Sequence, residues 1–251
     1  MRIPRLYAIA DGAALARSRL GFREYAQELA AAGVTLVQYR DKDAEPQAVL
    51  RNAAVIADAF AGSGATLIMN DRADLAILAG WDGVHVGQGD LSPEDAKAVL
   101  AGARRPTHRE EQGRDVWDAE FRDPTHAMGP HGLGTRNVGD VEGISGAIVG
   151  VSTHTVAELV TAEASVADYV AIGPVFATGT KLDASPVVGL EGVRRARALT
   201  TKPLVAIGGI TRENARSVID AGADAVAVIS GLFVAGETVE KVARDFLQLL
   251  R

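Results

Sequence analysis

The chain contains no cysteine. Disulfides, thiolate nucleophiles and zinc held on sulfur are thereby excluded. Aromatic residues make up only 5% of the 251 residues, and the apolar share of 47% is mainly Ala, Val, Ile and Leu. Compact side chains of this kind suit a parallel sheet covered on both faces. No apolar run approaches the length of a membrane span, and the N-terminal MRIPRLYAIADGAAL lacks the charged-then-apolar order of a signal peptide. An excess of positive charge is absent too. The net charge of −6 argues against a general nucleic-acid or anionic-membrane footprint, while leaving room for a local small-anion site. The expectation is a cytoplasmic protein acting on small molecules, with association into a homo-oligomer left open.

What is present is a rhythm. Short Val- and Ile-rich runs at 6–10, 34–40, 66–70, 83–88, 147–152, 169–175, 203–208 and 225–230 read as buried strands. Amphipathic stretches at 22–32, 47–60, 73–78, 92–100, 155–164, 190–199, 211–221 and 238–250 read as the helices that follow them. Ser92-Pro93 and Thr211 mark helix starts, and Gly33 and Gly222 mark helix ends. Eight such units in strict alternation predict a single-domain (β/α)8 TIM barrel; an open doubly wound sheet is the alternative. Residues 103–146 break the rhythm. This polar stretch between the fourth helix and fifth strand holds no sustained period, and reads as an insertion on the helix-to-strand rim. Its His108, His126 and His131 match no standard metal spacing.

Ligands of such barrels meet the C-terminal strand ends. At the second strand, side-chain alternation places Gln38, Arg40 and Lys42 on one face, a donor set suited to a pyrophosphate. Pairing of Arg40 and Lys42 with Asp41 and Asp43 at the rim is the plainer alternative. The third strand ends Asn70-Asp71 and the fourth leads to Asp90. Two carboxylates on adjacent strand ends suit Mg2+; alternatively each is only a helix-start residue. Ser152 ends the fifth strand beside His154, which has either an acid–base or a structural role. After the sixth strand, Thr178-Gly179-Thr180-Lys181 forms an anion cradle without Walker A spacing. Gly208-Gly209 and Ile229-Ser230 end the last two strands, where this fold commonly binds phosphate.

Taken in order, these motifs resemble the thiamine phosphate synthase family. The resemblance rests on Gln38-Tyr39-Arg40-Asp41-Lys42, Met69-Asn70-Asp71-Arg72, Gly83 to Asp90, Gly150 to Thr155, Gly173 to Phe176, Thr178 to Lys181, Gly208-Gly209-Ile210 and Ile229-Ser230. It covers nearly the whole chain apart from 103–146. It implies a TIM-barrel transferase that joins 4-amino-2-methyl-5-(diphosphooxymethyl)pyrimidine to a thiazole phosphate, or to its carboxylated form with loss of CO2. Pyrophosphate is released, and the family works by ionising the pyrimidine pyrophosphate before the thiazole nitrogen attacks. By similarity, Gln38, Arg40, Lys42, Asn70, Ser152 and Lys181 would bind the pyrimidine pyrophosphate, with Arg40, Lys42, Ser152 and Lys181 catalytic. Asp71 and Asp90 would hold Mg2+. Thr178, Gly179, Thr180, Gly209, Ile229 and Ser230 would bind the thiazole phosphate. The alternatives are a thiazole tautomerase-like isomerase on the same barrel and a non-catalytic phosphate-ligand barrel. The Asp71/Asp90 pair and the full Thr178–Lys181 loop favour the synthase over an isomerase, which has no pyrophosphate to expel, and the acidic pair with three cationic side chains argues against a silent binder.

Overall fold

The computed structural model describes residues 3–102, 143–179 and 186–251. Eight parallel strands close on themselves in sequence order. They are β1 (Leu6–Asp11), β2 (Leu36–Arg40), β3 (Thr66–Asn70), β4 (Gly83–Val86), β5 (Ile148–Thr153), β6 (Tyr169–Ile172), β7 (Leu204–Ile207) and β8 (Ala225–Val228). Closure comes from β1 pairing with β8, with Tyr7 opposite Ala227. The helices are α1 (Gly12–Ser18), α2 (Phe22–Ala32), α3 (Pro46–Ala59), α4 (Ala73–Ala79), α5 (Pro93–Leu100), α6 (Val156–Ala164), α7 (Gly189–Leu199), α8 (Ala215–Asp220) and α9 (Val239–Leu249).

All strands but β4, whose inward side chain is His85, feed two separate apolar layers through their alternating side chains. Tyr7, Ile9, Leu36, Ile68, Tyr169, Ala171, Val205, Ala225 and Ala227 fill the barrel interior. The intervening residues, such as Ala8, Val37, Tyr39, Met69 and Val84, pack outward against the helices in a larger core. Tyr39 lies there between Phe22 and Trp81, at ring-centroid distances of 5.0 and 6.3 Å. Its neighbours Gln38 and Arg40 therefore face inward, as the alternation requires.

Several expected boundaries move for identifiable reasons. The seven-residue α1 interrupts a stretch that carries no helical period, because only Ala14 and Leu15 are buried in it. Its start is set by Asp11, whose carboxylate accepts from the Ala14 N–H at 2.9 Å. Strand β6 stops at Ile172, before Gly173-Pro174, since proline has no N–H to offer a ladder. Helix α8 begins at Ala215 rather than at Thr211. Asn214 instead folds residues 209–214 into a turn, accepting from the Thr211 N–H at 2.8 Å and donating to the Gly209 carbonyl at 3.0 Å. Ser92, with Pro93 behind it, caps α5, and Gly33 closes α2 in the left-handed conformation, both as expected.

One device recurs on the N-terminal rim. Asp82, Asp168 and Asp224 each stand one residue before β4, β6 and β8. Each donates its N–H to, and accepts on Oδ2 the N–H from, one residue at the start of the preceding strand. The partners are Leu67, Val149 and Leu204, and all six distances lie between 2.7 and 3.0 Å. Strand starts that would otherwise present bare backbone groups are thus satisfied. Ile144, just before β5, donates to the Leu100 carbonyl at 2.7 Å, and Gly143 lies against Ala101. The chain therefore re-enters beside the point where it leaves α5; residues 103–142, with His108, His126 and His131, lie outside the described residues.

Candidate active site

The C-terminal rim gathers the polar residues that the interior cannot absorb. Arg40 ends β2 pointing inward and pairs with Asp11 at the end of β1, a carboxylate only 1% exposed. Asp11 thus caps α1 with one oxygen and holds Arg40 with the other. Pairing of Arg40 with Asp41 or Asp43 is not what forms. Asp11 was missed from the sequence because the short α1 it caps shows no apolar period; its pairing with Arg40 comes from the β1–β2 register, Asp11 opposite Arg40.

Lys42, beyond the strand end, reaches Asp71 at 3.6 Å. Asp71 adopts φ +61°, a left-handed conformation uncommon outside glycine, and does not cap α4, whose N-cap is Arg72. Its side chain faces Asp90, so the two carboxylates do meet. Asp90 is itself held by the turn after β4, accepting from the Gly87 N–H at 2.8 Å, while the capping of α5 falls to Ser92. The helix-start explanation therefore holds for neither aspartate. Burial first, and the neighbouring Asp90 second, raise the Asp71 carboxyl above its usual range; Lys42 opposes them. Arg40 is matched by Asp11 and Lys42 by Asp71, while Asp90 faces Asp71. Oxygen-only donors suit a hard divalent ion. Among the described residues no cluster of three or more His, Cys, Asp or Glu forms a fuller metal site.

Asn70, last in β3, faces the same rim half-buried and forms no side-chain hydrogen bond among the described residues. On β5 the Ser152 Oγ lies 2.8 Å from His85 Nε2, and its carbonyl accepts from Gln88 at 2.6 Å. His85 was not among the expected site residues, although it stands inside a quoted motif. Its ring is 8% exposed, and only the barrel's closure shows what it touches. His154 Nδ1 bonds the Gly173 carbonyl at 2.6 Å, tying the end of β5 to β6, while Thr155 and Glu158 form a capping box for α6.

The loops after β6 and β7 are laced together. Val175 and Phe176 donate to the carbonyls of Ile207 and Gly208 at 2.9 and 3.0 Å. Gly208 and Gly209 both have positive φ, and a Cβ on either would strike the β6 loop at 2.6 Å. Loop packing alone therefore demands both glycines, whatever ligand approaches them. Half-buried Thr178 and exposed Gly179 continue from this loop; Thr180 and Lys181 lie outside the described residues. Half-buried Ile229 and exposed Ser230 enter a single 3-10 turn, Ser230–Leu232, after β8.

Fold and rim together define an α/β-barrel with an acidic pair, an inward arginine, a lysine at the strand end and a glycine-laced loop at its C-terminal end. A sequence model described as thiamine monophosphate synthase matches residues 6–105 and 134–232, and the chain belongs to that family. The unmatched 106–133 fall inside the 103–146 stretch. The thiamine-phosphate synthase of Koribacter versatilis is 43% identical over 252 residues, covering 100% of this chain and 97% of that one. That of Chloroflexus aurantiacus is 35% identical over 246 residues, covering 98% and 92%. The solved thiamine phosphate pyrophosphorylase from Pyrococcus furiosus superposes with a TM-score of 0.71 at 26% identity, covering 98% of this chain and 95% of that one.

Proposed function

We infer that this chain is a transferase forming thiamine phosphate from a pyrimidine pyrophosphate and a thiazole phosphate, with release of pyrophosphate. The observation that carries the reading is the Asp71–Asp90 pair beside Lys42, on the rim that also holds Arg40. Neither an isomerase nor a passive phosphate binder needs two facing carboxylates.

Asp71 and Asp90 would hold magnesium. When bound, that ion supplies neutralising charge to the pyrophosphate. Arg40, kept rigid by Asp11, and Lys42 would take the remaining leaving-group charge, with Lys181 assigned there by family similarity. Gln38, Asn70 and Ser152 would orient the pyrimidine pyrophosphate from β2, β3 and β5. Thr178, Gly179, Thr180, Gly209, Ile229 and Ser230 would hold the thiazole phosphate, so that its nitrogen lies in line with the departing oxygen. No protein nucleophile takes part. The carbon–oxygen bond to pyrophosphate breaks, the thiazole nitrogen supplies the electron pair for the new bond, and pyrophosphate leaves with the electrons of the old one.

The same reading makes the chain one barrel domain with an excursion at 103–146, in the cytoplasm. Among the described residues no helix is long and apolar enough to cross a membrane. Purified protein given both substrates and magnesium should yield thiamine phosphate, and chelator should abolish it. Absence of product overturns the transferase reading; product that survives complete chelation removes the metal from Asp71 and Asp90.

A further inference from the structure

Beneath the rim a single file of polar side chains crosses the otherwise apolar barrel interior. The Gln38 amide nitrogen on β2 donates to the Tyr7 hydroxyl on β1 at 2.8 Å. The Tyr7 hydroxyl lies 2.9 Å from that of Tyr169 on β6, which lies 2.9 Å from His85 Nδ1 on β4. His85 Nε2 lies 2.8 Å from Ser152 Oγ on β5. Gln38, Tyr7 and Tyr169 are 3%, 1% and 0% exposed. Tyr169 crosses to its partners because β5 carries glycine opposite it; a Cβ on Gly150 would lie 2.0 Å from the Tyr169 ring. Polar groups this deep are costly unless every one is satisfied.

We propose that this file is a polarity relay, in which the orientation of the Gln38 amide decides whether Ser152 donates or accepts toward a ligand, with Tyr7, Tyr169 and His85 as positioning residues. The direction follows from counting protons. Each phenol holds one proton and has two partners, so it must donate to one and accept from the other. With the Gln38 NH2 toward Tyr7, Tyr7 donates to Tyr169 and Tyr169 donates to His85 Nδ1. His85 then carries its proton on Nε2 and donates to Ser152, whose own hydroxyl proton is left for a ligand. Turning the amide over reverses every member: Tyr7 donates to Gln38, His85 carries its proton on Nδ1, and Ser152 spends its proton on the ring. Burial pushes both phenols well above their usual range, so each phenol keeps its proton.

A ligand is thereby read at both ends together. One that offers a donor to the Gln38 carbonyl and an anionic acceptor to Ser152 matches a single polarity. An aminopyrimidine pyrophosphate has that pattern, and the choice of this ligand rests on the function proposed above. A ligand with a carbonyl in place of the amino group calls for opposite polarities at the two ends.

The test follows the histidine proton directly. Ring 15N shifts of His85, assigned with His85→Gln, report which nitrogen is protonated. In the full chain without ligand, Gln38→Glu is compared with wild type at about pH 8.5, above the ordinary carboxylate range. An ionised carboxylate only accepts, so the proton should move from Nε2 to Nδ1. In a Tyr169→Phe background the same substitution should leave the His85 tautomer where it was. Should Gln38→Glu not fold, Tyr7→Phe cuts the file one link earlier and is read by substrate choice. The ratio of kcat/KM for the amino and oxo pyrimidine pyrophosphates should then fall roughly tenfold, about 1.4 kcal/mol. A tautomer indifferent to Gln38→Glu, a shift that persists without the Tyr169 hydroxyl, or an equal loss for both substrates overturns the relay. A wild-type protein that makes no thiamine phosphate overturns the function instead, and the spectra still decide the relay.

Discussion

The two ends of this barrel use aspartate in opposite ways. On the N-terminal rim Asp82, Asp168 and Asp224 each face backbone N–H groups, and each closes a pair of strands at normal hydrogen-bond lengths. On the C-terminal rim Asp71 and Asp90 face one another, one of them with left-handed backbone. On the lower rim the carboxylates accept N–H groups that close neighbouring strands. On the upper rim Asp90 accepts the Gly87 N–H and Asp71 lies near Lys42, yet the two carboxylates still face one another, an arrangement that a cation or a proton relieves. The residue type is the same; the partners decide the role.

The sharpest way to break this comparison is Asp90→Ala. It should lower turnover by roughly 10²- to 10³-fold, the scale of losing one preorganised charge-stabilising group, while the melting temperature holds or rises. A loss of activity matched by loss of structure would make the upper pair structural as well. Asp11→Ala should do both things, because it strips a buried partner from Arg40 and the cap from α1. A stability loss on the order of 3 kcal/mol in urea unfolding, with a fall in kcat, is expected. Asp168→Ala should act on stability alone, by about 1–3 kcal/mol, since it leaves the Val149 N–H without its acceptor and Lys97 without its carboxylate partner. An unchanged melting curve with impaired kcat would reverse the assignment of the two rims.

Two smaller effects concern pH. The Asp71 carboxyl is raised, chiefly by burial, so its ionised form is penalised in the folded state. Without metal, this group should make the protein less stable as pH climbs from the ordinary carboxylate range through the raised value, and have no further influence above it. If Asp71 holds the cation, as proposed, protons compete with it there. The magnesium required for half-maximal turnover should rise as pH falls through that window, and Asp71→Asn should remove the stability slope. On the opposite rim Glu163, bonded first by the Thr200 hydroxyl and then by Thr201, is lowered to about 2. Its contribution is present above the ordinary glutamate range and lost as pH falls toward about 2. Glu163→Gln should flatten only that acid limb, by a small amount because the group is partly solvated, which acid unfolding curves can resolve.

Much of the molecule was legible in its pattern. The 22–32 helix and the 66–70 strand fall where periodicity puts them, and the inward set of β2 follows from side chains alternating every residue. Asp71, Asp90, Ser152 and Arg40 could be singled out because strand ends are the only places where such a barrel exposes polar side chains to a ligand. The α1 helix, the late start of α8 and the dual duty of Gly208 and Gly209 were not legible. The α1 start and the turn before α8 rest on short-range side-chain bonds, Asp11 to Ala14 and Asn214 to Gly209, that no apolar period announces, and the glycines rest on contact with another segment, the β6 loop.

Local order along the chain thus determined the architecture: strands of period two, helices of period 3.6, glycine and proline punctuation, and a choice of residues that resembles one family. Only the tertiary structure decided which carboxylates meet each other and which meet backbone, and that Gln38 and Ser152 stand at two ends of one buried file. The physical reason is that hydrogen bonding and charge act through space over a few ångströms. Residues 7, 38, 85, 152 and 169 become neighbours only when eight strands close into a ring.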